Sequence, residues 1–250
     1  MPTAKPATGA LTDQDHPLAP DYLAFLLNAA AAGDAELDSV GGTLSIAANG
    51  IGHALGVNAY GDVCRDYVGT ADHYPKDTPA PPPTDFTLVA RIFQRSQSSF
   101  QTLFGSATIG LFIAGSTIRF YSNSATASGT IALNTWTTVG FTRDTGGNAY
   151  RYFKDGVQVG SDFAGTGVGF SIFSNGIAGH GGERFDGLYD YLYIWGRVLS
   201  AADHAAIHAD PFMVFTPISA PLDWMGGTAA AGSVPSYRAI PSGLTPPNRT

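Results

Sequence analysis

Apolar and polar positions alternate along this chain in short runs, with glycine, serine or asparagine between the runs. Asp85–Phe93 (DFTLVARIF) is the strongest run, and Ser99–Gly105, Ile109–Ala114, Thr117–Ser122 and Trp136–Thr142 follow it. Each is rich in β-branched and aromatic residues and too short to lay a stripe along a helix, so each predicts a strand. Ala149–Lys154 and Val157–Val159 flank Asp155-Gly156, a pair that supplies the positive φ angles of a tight type I′ hairpin turn. Strands at this spacing, separated by turn formers, predict an antiparallel sandwich or barrel.

The last long run is Phe185–Trp195 (FDGLYDYLYIW). In regular alternation Leu188, Asp190, Leu192 and Ile194 share one face, and Tyr189, Tyr191, Tyr193 and Trp195 share the other. The two faces cannot both enter one core. Trp and Tyr stack on sugars and anchor protein interfaces, which makes these four aromatics the candidate binding residues. The alternative is that a flanking arm or the helix at 21–32 covers them. Either reading makes the face a contact surface.

Two helices are predicted. Leu23, Leu26, Leu27 and Ala30 recur at i, i+3, i+4 and i+7, with Asp21 as N-cap and Gly33 as the stop, over residues 21–32. Ser200 caps a second, short helix that runs to His208. Residues 40–75 are glycine-rich and read as short strands and loops, including Thr43–Ile46. Residues 78–84 (TPAPPPT) form a stiff polyproline spacer. The division is an N-terminal arm with a short helix over 1–38, a β-sandwich over 39–215, and an extended Pro/Gly-rich tail over 216–250.

Composition supports many short strands: 31 Gly, 16 Pro and only 13% charged residues. A net charge of −7 gives no basic footprint for nucleic acid or an anionic membrane. No apolar stretch approaches the ~18 residues a spanning helix needs. The Met-Pro-Thr-Ala-Lys-Pro start lacks the apolar segment of a secretory signal. Cys64 is the only cysteine, so no internal disulfide forms, and it reads as a small buried hydrophobe.

The strand block resembles the laminin G-like, concanavalin A-like domains. The matching pieces are Thr84–Leu88, Trp136–Asp144, Tyr152–Val157, Phe185–Asp190 and Ile194–Ser200. The resemblance implies an all-β, two-sheet antiparallel jelly-roll sandwich with binding loops at its rim and often a concave face. The ending Ala209–Pro217 resembles laminin G-like domains encoded in bacteriophage structural genes, which implies a virion component. The resemblance also admits calcium, with Asp144, Asp162, Asn175 and Asp186 as available oxygen ligands.

Other chemistry is weak. Related hydrolases place two glutamates on one strand, but here Glu36 and Glu183 are the only glutamates and lie far apart. His204 and His208 have metal-ligand spacing without a third ligand, and read as two solvated histidines. Gly165–Gly169 (GTGVG) has no following lysine and reads as a loop. The expectation is therefore a non-enzymatic bacteriophage virion protein, such as a capsid decoration, head fibre or tail component, made in the host cytoplasm. Its arms would contact capsid or tail neighbours, as a homo-oligomer, with a cell-surface glycan as a further partner. The alternative is a stand-alone carbohydrate-binding lectin, with or without calcium.

Overall fold

Backbone pairing organises the described residues into twelve strands and one helix. The computed structural model describes residues 15–26, 54–58, 62–67, 84–96, 101–105, 109–122, 125–164 and 185–215. The strands are β1 (Tyr22–Leu26), β2 (Ala54–Val57), β3 (Val63–Tyr67), β4 (Phe86–Gln94), β5 (Gln101–Gly105), β6 (Ile109–Ala114), β7 (Thr117–Ser122), β8 (Ala125–Thr130), β9 (Trp136–Asp144), β10 (Ala149–Lys154), β11 (Val157–Gln158) and β12 (Gly187–Trp195). Helix α1 spans Ala201–Ala209.

The large sheet has the order β11-β10-β9-β4-β12-β3-β2, and the small sheet is the meander β5-β6-β7-β8. All pairings are antiparallel. β4 lies along one side of β12. Along the other side β3 pairs with residues 187–189 and β1 with residues 192–195, so the two lie end to end. The inner faces of the two sheets share one apolar layer. Phe86, Leu88, Ile92, Phe141 and Tyr150 enter it from the large sheet, and Leu103, Ile113 and Ile118 from the small one. Two hydrogen bonds tie the sheets at one end: the Tyr189 hydroxyl donates to the Leu103 carbonyl (2.8 Å), and the Gln94 amide donates to the Gly115 carbonyl (3.1 Å).

β12 departs from regular alternation. Tyr189 stands opposite Ile92 while Tyr191 stands opposite Arg91, so Asp190 is an extra residue in a β-bulge. The bulge turns Tyr189 into the inter-sheet layer, with Leu192 and Ile194. Tyr191, Tyr193 and Trp195 lie on the outer face. The expected single aromatic face is thus corrected. Leu188 changes sides too: it faces outward, over Gly56 and Cys64.

The outer aromatics form a second apolar layer. Leu18, Leu199, Ile207, Phe212, Val214 and Phe215 close over Val89, Tyr191, Tyr193 and Trp195. The N-terminal segment is held as a strap. The Trp195 indole N–H donates to the Leu18 carbonyl (2.7 Å), and Arg197 donates to the carbonyls of Pro17 and Pro20. Residues 22–26, expected as the start of a helix, form β1 instead. Their run of Tyr, Leu, Ala, Phe and Leu suits either period, and the open backbone of β12 at 192–195 decides for a strand. Asp21, with a φ of 59°, is a bend into that strand, not a helix cap. The remainder of the expected helix, the arm before residue 15, Thr43–Ile46, the proline spacer and the tail lie outside the described residues.

Helix α1 begins as expected at Ser200. The Ser200 hydroxyl accepts from the Asp203 backbone N–H, and the Asp203 carboxylate accepts from the Ser200 N–H. Its histidines are not two solvated groups. His208 is exposed, but His204 is buried, stacked on Phe153 with ring centroids 3.7 Å apart, and hydrogen-bonded to the Thr142 hydroxyl (2.8 Å). A side chain on Gly140 would collide with that imidazole, so glycine there lets the helix seat. The Asp155-Gly156 turn forms as read, with φ of 50° and 78°.

Burial pushes the His204 pKa down to about 3, partly opposed by Asp203. Above pH 6.5 the imidazole is neutral in both states, and its packing contributes fully. As pH falls from about 6.5 towards 3 the unfolded chain gains a proton that the folded chain refuses, so stability falls. Urea unfolding between pH 7 and 4.5 should show a loss approaching about 1.4 kcal/mol per pH unit below pH 6. His204→Gln should be less stable at pH 7 but show a flatter slope. Equal slopes in the two proteins would remove His204 as the cause.

Candidate functional site

Among the described residues, the apolar cover lies over Val89, Tyr191, Tyr193 and Trp195 and leaves the other end of the large sheet's outer face partly exposed. Among the described residues the cover is hydrogen-bonded to β9 at Thr138, whose hydroxyl bonds His208 Nδ1 (3.0 Å). Beyond this point three strands present a row of side chains. Trp136 of β9 stands opposite Phe93 of β4, and Phe93 stands opposite Leu188 of β12. Directly paired residues in an antiparallel sheet share a face, so these three lie side by side over about 10 Å. All three are half-buried. Phe93 and Trp136 rings are 5.5 Å apart and tilted by 52°, while the Arg91 guanidinium lies over the Trp136 ring at 5.5 Å. Aromatic faces beside a fixed N–H donor can stack on the apolar face of a sugar ring and donate to its hydroxyls.

Charged groups frame this row. Asp190, raised on the bulge, is wholly buried; it accepts from the Asn58 amide (2.9 Å), with Arg91 Nη1 at 3.9 Å. Asp66 pairs with Leu188 across β3 and β12 and bonds Arg95 at 2.6 Å. Arg95 also meets Asp186 at 3.1 Å and the Tyr67 carbonyl at 2.8 Å. This clamp fixes β3, β4 and the lead into β12 at the row's far end.

The residues expected to bind are elsewhere. Tyr189 is buried between the sheets, and Tyr191, Tyr193 and Trp195 are buried under the cover. Burial raises the pKa of the Tyr189 and Tyr193 hydroxyls well above the usual phenol range. None of the four offers a ring to solvent.

The available oxygen ligands are also engaged. Asp144 and Asp162 close on Arg151 at 3.3 and 2.9 Å, and Asp186 serves Arg95. Asn175, Gly165–Gly169, Glu36 and Glu183 lie outside the described residues. Among the described residues no group of three or more His, Cys, Asp or Glu comes together to hold a metal. Asp85, bonded by the Thr145 hydroxyl and backbone N–H, has a lowered pKa for that reason. Asp155 accepts from the Thr138 N–H at 2.9 Å. These carboxylates fasten turns and strand ends.

Trp136 and Phe93 read in sequence only as strand formers. What joins them is the register of two strands separated in sequence by the whole small sheet, and no local pattern carries that.

Two antiparallel sheets around one apolar layer, with a single short helix, define a concanavalin A-like sandwich. The chain belongs to the concanavalin A-like lectin/glucanases superfamily, whose Laminin_G_3 family model matches residues 66–203. Solved structures agree on the fold. A Trypanosoma rangeli sialidase, in complex with a difluoro-KDN ligand, is similar with a TM-score of 0.56 and 16% identity over 82% of this chain and 36% of that one. Domain 4 of AbnA, a GH43 extracellular arabinanase from Geobacillus stearothermophilus, in complex with arabinotriose, is similar with a TM-score of 0.50 and 16% identity, covering 75% of this chain and 98% of that domain. The binding domain of botulinum neurotoxin DC, in complex with rat synaptotagmin II, is similar with a TM-score of 0.54 and 10% identity over 76% of this chain and 51% of that one. The chain spans about a third of the length of the sialidases it resembles. No curated protein matches it in sequence.

Trp195 and Trp136 mark the covered and the partly exposed halves of the outer face. Trp195→Ala should cost roughly 3–5 kcal/mol in urea unfolding, as expected for a large side chain deleted from a core. Trp136→Ala should cost less than about 2 kcal/mol. Equal losses would mean that Trp136 is as much a core residue as Trp195.

Proposed function

We propose that this chain is a non-catalytic carbohydrate-binding module that holds a saccharide on the Trp136–Phe93–Leu188 row. The observation that carries this reading is the partly exposed aromatic row itself, set on paired strands beside the cover over Val89, Tyr191, Tyr193 and Trp195. A site on paired strands keeps its shape without ligand, which lowers the entropy cost of binding. The row's reach of about 10 Å suits a short oligosaccharide better than a single sugar. The described carboxylates argue for binding over hydrolysis, because each of those around the row already has a structural partner. The likeness to an arabinanase domain in complex with arabinotriose agrees with this reading.

A second reading places the module in a bacteriophage particle, with a host-surface glycan as its ligand and capsid or tail neighbours held by its arms. Its support is the resemblance of Ala209–Pro217 to phage-encoded domains. That segment has a packing role of its own, since Phe212, Val214 and Phe215 are buried over β12. Residues 15–20 also lie against the chain's own sandwich, so a tether falls to the parts outside the described residues.

A glycan array followed by calorimetry on the full chain tests the binding reading. Binding to a saccharide is expected, with Trp136→Ala weakening it by at least about tenfold, a change of about 1.4 kcal/mol. Binding that Trp136→Ala leaves untouched would place the site elsewhere.

A further inference from the structure

We infer that the Trp136–Phe93–Leu188 row takes neutral saccharides and discriminates against acidic ones, an inference that rests on the saccharide-binding reading above. Recognition of a sugar carboxylate or sulfate calls for a guanidinium or ammonium whose charge is uncommitted. The cation over this row is Arg91, 5.5 Å above the Trp136 ring. Its charge answers Asp190, a wholly buried carboxylate 3.9 Å away whose other oxygen accepts from Asn58. A carboxylate so buried needs its counter-charge close by. Turning Arg91 to an acidic ligand would part it from Asp190.

The other cation near the row is no freer. Arg95 meets Asp66 at 2.6 Å and Asp186 at 3.1 Å, and Asp66 stands beside Leu188 at the row's end. At the opposite end Asp155 is fastened to Thr138, two residues from Trp136. Lys154 follows the outward-facing Phe153 on β10 and so alternates to the other face. Among the described residues around the row, the carboxylates Asp66, Asp155, Asp186 and Asp190 outnumber the guanidiniums Arg91 and Arg95. An acidic sugar therefore meets net negative charge and must also shed its own hydration. A neutral sugar meets two aromatic rings and the guanidinium of Arg91 over Trp136, and requires neither ion pair to break.

The test is calorimetry on the full chain with matched neutral and acidic oligosaccharides, arabino- and galacto-oligosaccharides against oligogalacturonates and sialyllactose, at about 50 and about 500 mM salt. Neutral ligands should bind with a Kd that changes less than about twofold with salt, and acidic ones at least about tenfold more weakly at low salt. Asp190→Asn, which releases Arg91, should narrow that gap at least about threefold. Asp66→Asn, at a partly exposed position, should narrow it in the same direction and serves if Asp190→Asn does not fold. Tighter, salt-sensitive binding of the acidic set would overturn the inference while leaving the saccharide reading intact. A gap unchanged in the folded variants would overturn it as well. Absence of binding by both sets would overturn the reading and the inference together.

Discussion

β12 is a central strand with large aromatic side chains on both faces, and the rest of the structure follows from having to bury both. One face meets the small sheet in the usual way of a sandwich. The other carries Tyr191, Tyr193 and Trp195, which the sheet alone would leave in water. Burying such side chains is worth roughly 1.5–3 kcal/mol each, so a second layer over the sheet is strongly favoured. The chain supplies it from both ends of the domain, with Leu18 before the first strand and Ile207, Phe212, Val214 and Phe215 after the last. The Asp190 bulge decides which aromatics need this cover, because it sends Tyr189 inward and the other three outward.

The same constraint divides the outer face. Where the cover lies, the face is core. Beyond Thr138 and His208, among the described residues, the sheet continues with Arg91, Trp136, Phe93 and Leu188 partly exposed. The bulge contributes here too. It seats Asp190 beside Arg91, and the pair stands on the line between the buried aromatics and the open ones. A single extra residue in one strand thus sets both the covered layer and the charge character of the open row.

Much of the sandwich was legible in the sequence because strand periodicity and turn chemistry are local. Ile109–Ala114, Thr117–Ser122 and Ala149–Lys154 form the strands their alternation predicts, and Asp155-Gly156 makes its turn. β8 (ATASGT) was not legible, since it lacks large apolar residues and becomes a strand by pairing with β7. Residues 22–26 misread as helix because a five-residue apolar run fits two periods, and the open side of β12 chose between them. His204 reads as a solvated histidine until Gly140 is placed beneath it, 64 residues earlier in the chain. The aromatic face of β12 was visible as a contact surface, but the sequence left open what covers it, and the bulge that removes Tyr189 from it has no local signature. The Trp136–Phe93–Leu188 row was invisible for a related reason. It exists only through the register of three strands distant in sequence.

The cover closes one half of the outer face, and the other half is the proposed binding surface. Side-chain and amide chemical-shift mapping of the full chain, titrated with a neutral oligosaccharide, tests it most directly. The largest shifts should fall on the Trp136 indole and on Phe93, Leu188 and Arg91, while Trp195 and Tyr193 stay still. Shifts concentrated at the opposite rim, on Asp85, Thr145 and Arg151, would contradict it.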